Sequence, residues 1–196
     1  MTGLMLWQKD NMQKVCLFLA SSLLIFLTSF NISFAKEHTT EDSTASDSAQ
    51  KVTYELPYPG LLPDSPIYFL RIIRDRVVDF LISDSLKKSE FDLLQADKRL
   101  NAGIYLFNKG KLPMSISTIS KAENYFMEAL QKIKEAKRQG METTETTNRL
   151  INSSKKHLEV LKSLKAKSPK NFKSSFDREL QRVDKFVEEA IALILK

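Results

Sequence analysis

Beyond residue 85 the chain is broken in three places: at Gly110 with Pro113, at Gly140 and at Ser168-Pro169. Between these breaks apolar residues recur every three or four positions, and the alternation of a half-buried strand is missing. Long segments of helical period joined by short turns pack back on one another as antiparallel neighbours. The expected fold is therefore all-α: an antiparallel helical bundle of about four long helices, preceded by one short amphipathic helix.

The first long helix is expected from the Ser83-Asp84-Ser85 cap to Asn108, with Leu86, Leu93, Ala96, Leu100, Ile104 and Phe107 on one face. The second runs from Met114 to Arg138 and carries Ile116, Ile119, Ala122, Phe126, Leu130 and Ile133. The third starts among residues 143–147, ends near Lys167 and carries Leu150, Ile151, Leu158, Leu161 and Leu164. Phe172, Phe176, Leu180, Val183, Val187, Ile191 and Ile194 mark the last. Two carboxylates interrupt these stripes, Asp97 and Glu123. Inward carboxylates can serve as an acid–base pair or bind metal. The expectation here is pairing with Lys98, Arg99 or Lys121 at a packing boundary, because a buried charge needs a partner. His157, beside Leu158, is expected at the surface, and Tyr105 and Tyr125 are expected to lend their rings to the core.

Four of the six prolines fall within PYPGLLPDSP, residues 57–66. Pro57, Pro59 and Pro63 favour extended backbone and Gly60 permits a sharp turn. Asp64, Ser65 and Pro66 then read as a helix-start motif: proline suits the first helical position and Ser65 the N-cap before it. The helix that follows ends near Leu81 and puts Phe69, Ile73, Val77 and Phe80 on one face. Packing across the bundle is the expected use of that face, since Asp75 and Asp79 accompany its arginines, whereas a helix lying on a membrane shows a basic polar face.

Residues 15–34, VCLFLASSLLIFLTSFNISF, are apolar and uncharged, with Lys9 and Lys14 before them and Ser33-Phe34-Ala35 at their end. This is the layout of a secretory signal cleaved between Ala35 and Lys36. The run also approaches the ~20 residues that span a bilayer, so an uncleaved N-terminal anchor is the alternative. Translation from Met12 would give the tidier signal. Residues 36–53 form a Ser/Thr- and acid-rich spacer with too little apolar surface to fold. The domain organisation is thus 1–35 signal or anchor, 36–53 spacer and 54–196 helical domain, with an extracytoplasmic location.

Cys16 is the sole cysteine, which excludes an intramolecular disulfide and a Cys-based zinc site. His38 and His157 stand in no metal-ligand spacing, and no cofactor or catalytic constellation is expected. Net charge is +6, and Lys155, Lys156, Lys162, Lys165, Lys167, Lys170 and Lys173 concentrate positive charge near Ser168-Pro169. Such a run keeps a protein soluble. If it makes a contact, lysine without interleaved aromatics suits anionic lipid or a cell-surface polymer, not nucleic acid.

Gly60 to Leu70, GLLPDSPIYFL, and Ala96 to Leu100, ADKRL, carry a resemblance to a bacterial family catalogued as a domain of unknown function, whose members share a G-L-L-P-D-S-P-x-Y-x-L start. It covers residues 54–138 well and the C-terminal hairpin, 141–196, weakly. Ser85 departs from the proline often found there. The resemblance implies an exported or membrane-tethered protein, with some relatives beside sigma-factor regulators, and implies no catalytic residues. The expected function is a non-enzymatic binding or scaffold domain of the cell envelope whose partner is a protein or an anionic surface. The alternatives are an extracytoplasmic sensor domain of a membrane-anchored protein and, third, an enzyme using Asp97 and Glu123.

Overall fold

The structure, a computed structural model, describes residues 53–195. The cleavage position at Ala35 and Lys36, the apolar run 15–34 and the spacer up to residue 52 lie outside the described residues. Among the described residues there are five helices and no strand: α1 (Tyr68–Leu81), α2 (Ser85–Asn108), α3 (Leu112–Arg138), α4 (Thr144–Lys167) and α5 (Lys170–Leu195).

The breaks act as expected. Gly110 and Gly140 have φ of 74° and 77°, the left-handed conformation that closes a helix. After each, the next N–H reaches back to a carbonyl of the last turn, Lys111 to Leu106 at 2.9 Å and Met141 to Ala136 at 3.1 Å. Asp84 caps α2 by accepting from the Lys87 N–H at 2.8 Å. Pro113 sits in the first turn of α3, which therefore starts at Leu112, slightly before the expected Met114.

Two antiparallel hairpins, α2–α3 and α4–α5, build the bundle. In the first, the small residues Ser89, Ala96 and Gly103 recur every seven positions and face Ser115, Ala122 and Ala129, so the backbones come close. Ser89 donates to the Ala129 carbonyl at 2.8 Å and Ser115 to the Gly103 carbonyl at 2.7 Å. A Cβ on Gly103 would overlap the Ile119 side chain, so only glycine fits without adjustment. The hairpins stack in parallel register. Glu90 meets Thr146 and Asp97 meets Ser153, both across 56 residues. Beside them Phe126 stacks on Phe186, with centroids 5.3 Å apart. Round the bundle the order is α2, α3, α5, α4, and the Gln139–Thr143 connection crosses a diagonal.

Leu93, Leu100, Ile119, Phe126, Leu150 and Phe176 are fully or almost fully buried in the core. In the C-terminal half of α5 the inward residues are Phe186 and Ala190, not Val187 and Ile191. Tyr125 is half-buried, but Tyr105 is exposed, contrary to expectation.

Residues 53–67 form a strap running along α2 toward the α2–α3 turn. Tyr54 bonds Asp97, the Pro57 carbonyl accepts from Asn101 at 2.9 Å, and Asp64 bonds Lys109 and Lys111 at 3.2 and 2.8 Å. The chain then reverses into α1, which returns antiparallel to α2 until Asp79 reaches Lys88.

Candidate functional site

Two features stand apart from ordinary core packing: a buried charged cluster and the outward face of α1.

Asp97 of α2, Glu123 of α3 and His157 of α4 each interrupt an apolar stripe near the middle of its helix. The expected pairing of the carboxylates with Lys98, Arg99 or Lys121 is not what forms, and His157 is not at the surface. His157 is 0% exposed and lies between the two carboxylates. Its Nδ1 is 3.0 and 3.2 Å from the Glu123 oxygens and its Nε2 is 3.1 Å from Asp97 Oδ1. Asp97 accepts two more bonds, from Ser153 Oγ at 2.5 Å and from the Tyr54 hydroxyl of the strap at 2.6 Å. The Phe126 ring covers the imidazole at 5.2 Å. Three of the four helices of the bundle and the strap thus meet at one node.

The electrostatics follow from this geometry. Burial works against a charge on His157, but the Glu123 carboxylate and the hydrogen bonds to Asp97 and Glu123 outweigh it, and the pKa is raised to about 9. The imidazolium then donates from both nitrogens. Burial, with the negative Asp97 close by, also raises the Tyr54 hydroxyl well above its ordinary value. The node has the residue types of hydrolytic chemistry but not the arrangement. Ser153 bonds Asp97 and not the imidazole, while a nucleophile must reach its base. The carboxylates lie at opposite ring nitrogens, so the three side chains do not converge on a point. No group of three or more metal-ligating residues with the geometry to hold a metal occurs among the described residues.

Arg99, expected beside the carboxylates, instead bonds Gln95 at 2.7 Å and stacks over Tyr125 at 4.2 Å. It lines a cleft of about 460 Å³ between α1 and the α2–α3 hairpin, together with Tyr68, Asp75, Lys121 and Glu128.

α1 is turned opposite to the expectation. Its inward residues are Arg71 and Asp75, both buried, whereas Phe69, Leu70, Ile73, Val77, Phe80 and Leu81 are exposed, Phe80 to 87%. Arg71 explains the orientation. Its guanidinium donates to the carbonyl of Pro59 and to that of Leu61 at 2.7 Å, and its Nε lies 3.6 Å from Asp75. Asp75 is also bound by Arg74 at 2.7 Å, and Asp79 by Lys88. The acids that weighed against a membrane-facing helix are turned away from the apolar face and paired.

The helix-start motif works differently from its reading in the sequence. Ile67 occupies the N-cap of α1 and no side chain caps it; the Ser65 contribution is its carbonyl, which accepts from Tyr68 N–H at 3.1 Å. Asp64 ties the motif to Lys109 and Lys111, and Pro66 lies in the turn that leads from Asp64 into α1. The motif is a corner clasp that fixes strap, α1 and the α2–α3 turn together. Of the seven lysines, Lys155, Lys162, Lys167 and Lys170 are exposed and Lys173 is half-buried. Lys156 pairs with Glu159 at 2.9 Å and Lys165 with Asp177.

The model of a family described as a domain of unknown function, DUF5667, matches residues 60–171. The match begins at Gly60, just before the corner clasp, spans Asp97, Glu123, Ser153 and His157 but not Tyr54, and ends in the first turn of α5. No curated protein and no solved structure is significantly similar to the chain.

Proposed function

Because the chain belongs to the DUF5667 family, whose description assigns no activity, we propose from its own features that it is a non-enzymatic helical binding domain of the cell envelope, exported and held at the membrane by residues 15–34. One observation carries the reading: α1 presents a row of large apolar side chains outward while its polar side is fixed inward. A contiguous exposed apolar surface of this kind marks an interaction site. Export rests on the signal-like layout of residues 1–35, and retention, in place of cleavage between Ala35 and Lys36, is supported by the run 15–34 approaching the ~20 residues that span a bilayer.

A second reading, an extracytoplasmic sensor domain, is favoured by Tyr54. It ties the strap to the node, so a change in the chain before residue 53 has a route into the core. Catalysis by Asp97 and Glu123 is the weakest reading, since both are buried and committed to His157.

The test is expression of the full chain in a bacterium with a C-terminal tag, followed by fractionation and by protease added to cells with the outer layers removed. A tag in the membrane fraction that external protease destroys is the expected result. A protected tag in the soluble cytoplasmic fraction overturns the proposal.

A further inference from the structure

We propose that the outward face of α1 docks flat on an anionic lipid bilayer, so that the domain lies against the membrane instead of hanging from it. This rests on the membrane tether proposed above and names what the exposed face meets.

Four observations select this occupant. First, the face is convex. Phe69, Ile73, Val77 and Phe80 form one continuous row on a single helix, flanked by Leu70 and Leu81. A rod with one apolar side inserts into the boundary between headgroups and acyl chains without needing a matching groove. Second, the charges on the exposed surface of α1 match anionic headgroups. Arg76 and Arg74 stand at the two edges of this face, Arg76 on the side of the cleft beneath α1, and both residues are exposed. The acids of the helix, Asp75 and Asp79, turn to the opposite side and are bound by Arg71, Arg74 and Lys88. A second copy of this face would bring the same arginines and no acid to meet them. The uncharged run 15–34, folded back on α1, would offer neither arginine an anionic group.

Third, the polar side of α1 is locked inward by Arg71 on the strap carbonyls and by Asp79 on Lys88, so the helix has no free rotation that would hide its apolar row. Fourth, the chain before the described residues sets a short leash. Residues 15–34 are long enough to span a bilayer, and residues 35–52 then reach about 60 Å when fully extended. Confinement at that distance raises the effective concentration of the face at the lipid surface, and a helix of modest intrinsic affinity stays docked.

The experiment uses the full chain with Cys16→Ser, reconstituted into vesicles of phosphatidylcholine and phosphatidylglycerol at 7:3. Single cysteines replace Ile73, Phe80 or, on the exposed side of α4, Asn152, and carry an environment-sensitive fluorophore. Circular dichroism confirms that each labelled chain keeps its helicity. The expected result is quenching by nitroxide-bearing lipids at positions 73 and 80 and none at 152. Removing charge by Arg74→Gln with Arg76→Gln, or using pure phosphatidylcholine, lowers the ratio of docked to undocked protein by about fivefold per arginine. Lys162→Gln with Lys167→Gln leaves it unchanged.

Labels at 73 and 80 that stay in water on vesicle-bound protein overturn the inference and leave the tether reading intact. Labels shielded from water but untouched by lipid quencher also overturn it, since a protein segment or second copy then covers the face. A full chain that does not associate with vesicles at all overturns both.

Discussion

Raising the pH from 6.5 to 10 should cost this domain a substantial part of its stability through one residue. His157 sits between Asp97 and Glu123, and its pKa is raised from 6.5 to about 9 because the carboxylates outweigh the cost of burial. In the unfolded chain the ordinary value returns. Below about 6.5 both states carry the proton and the stabilisation is fully present. Between 6.5 and 9 the unfolded chain gives up a proton that the folded chain keeps, so stability falls as pH rises and the loss is complete above the folded value. At about 1.4 kcal/mol per pH unit, the interval amounts to about 3 kcal/mol, a large share of the 5–15 kcal/mol typical of a domain. Urea unfolding across this range reads the loss directly. The chain has two histidines, so the imidazole resonance that disappears in a His157→Gln variant is the one belonging to the node. His157→Gln keeps a hydrogen-bonding side chain but cannot be protonated. It should be less stable than the native protein at pH 6.5 and lack the decline between pH 7 and 9. If both imidazoles titrate below pH 7, or if the glutamine variant keeps the decline, the node does not hold a proton as described.

Three further outcomes follow from the same geometry. Asp92 is 0% exposed with neither carboxyl oxygen hydrogen-bonded, and burial, only partly offset by Lys88, holds its pKa up at about 7. The folded chain keeps this proton where the unfolded chain has lost it, so the Asp92 contribution falls as pH rises from about 4 to 7. Asp92→Asn should remove that decline and raise the urea midpoint at pH 8, by about 1–3 kcal/mol in stability. Ser65→Ala should stay within about 0.5 kcal/mol of native because no side-chain cap is lost, whereas Arg71→Met should cost about 1.5–3 kcal/mol through its bonds to the strap carbonyls; the two denaturation midpoints check this. Gly103→Ala should cost about 1–3 kcal/mol by overpacking against Ile119, and a double-mutant cycle should show a smaller cost in an Ile119→Ala background.

The bundle was legible because its helices are long, its breaks are few, and the apolar stripes of α2 and α3 name their own core. Register was harder where two apolar residues stand side by side. His157 lies seven residues from both Leu150 and Leu164, which is the buried spacing, but the neighbouring Leu158 offers a plausible stripe of its own. Val187 and Ile191 displaced Phe186 and Ala190 in the same way. The node was half visible: Asp97 and Glu123 showed as interruptions, and a third interruption on the third helix was the signal that they share one partner. For α1, periodicity identifies which residues share a face and is silent on which face turns inward. Arg71 decides that, through carbonyls of a strap whose path no local pattern encodes. Ser65 had the residue type and position of a cap, but the Leu62 carbonyl takes its N–H at 3.0 Å and builds a turn there, so the helix starts later.

The strap makes the domain mechanically asymmetric. It lies extended beside α2 and is fastened at Tyr54, then at Pro57, then by Arg71 at Pro59 and Leu61, then at Asp64. A pull on the chain before residue 53 therefore peels these fastenings in that order, and the first to take the load is the hydroxyl of Tyr54 on Asp97. Its release strips one donor from the carboxylate that faces His157 and opens a path for water to a site otherwise sealed. Tension along the N-terminal chain is expected to alter the proton affinity of the core before any helix unwinds, so the domain would register force as a change in charge.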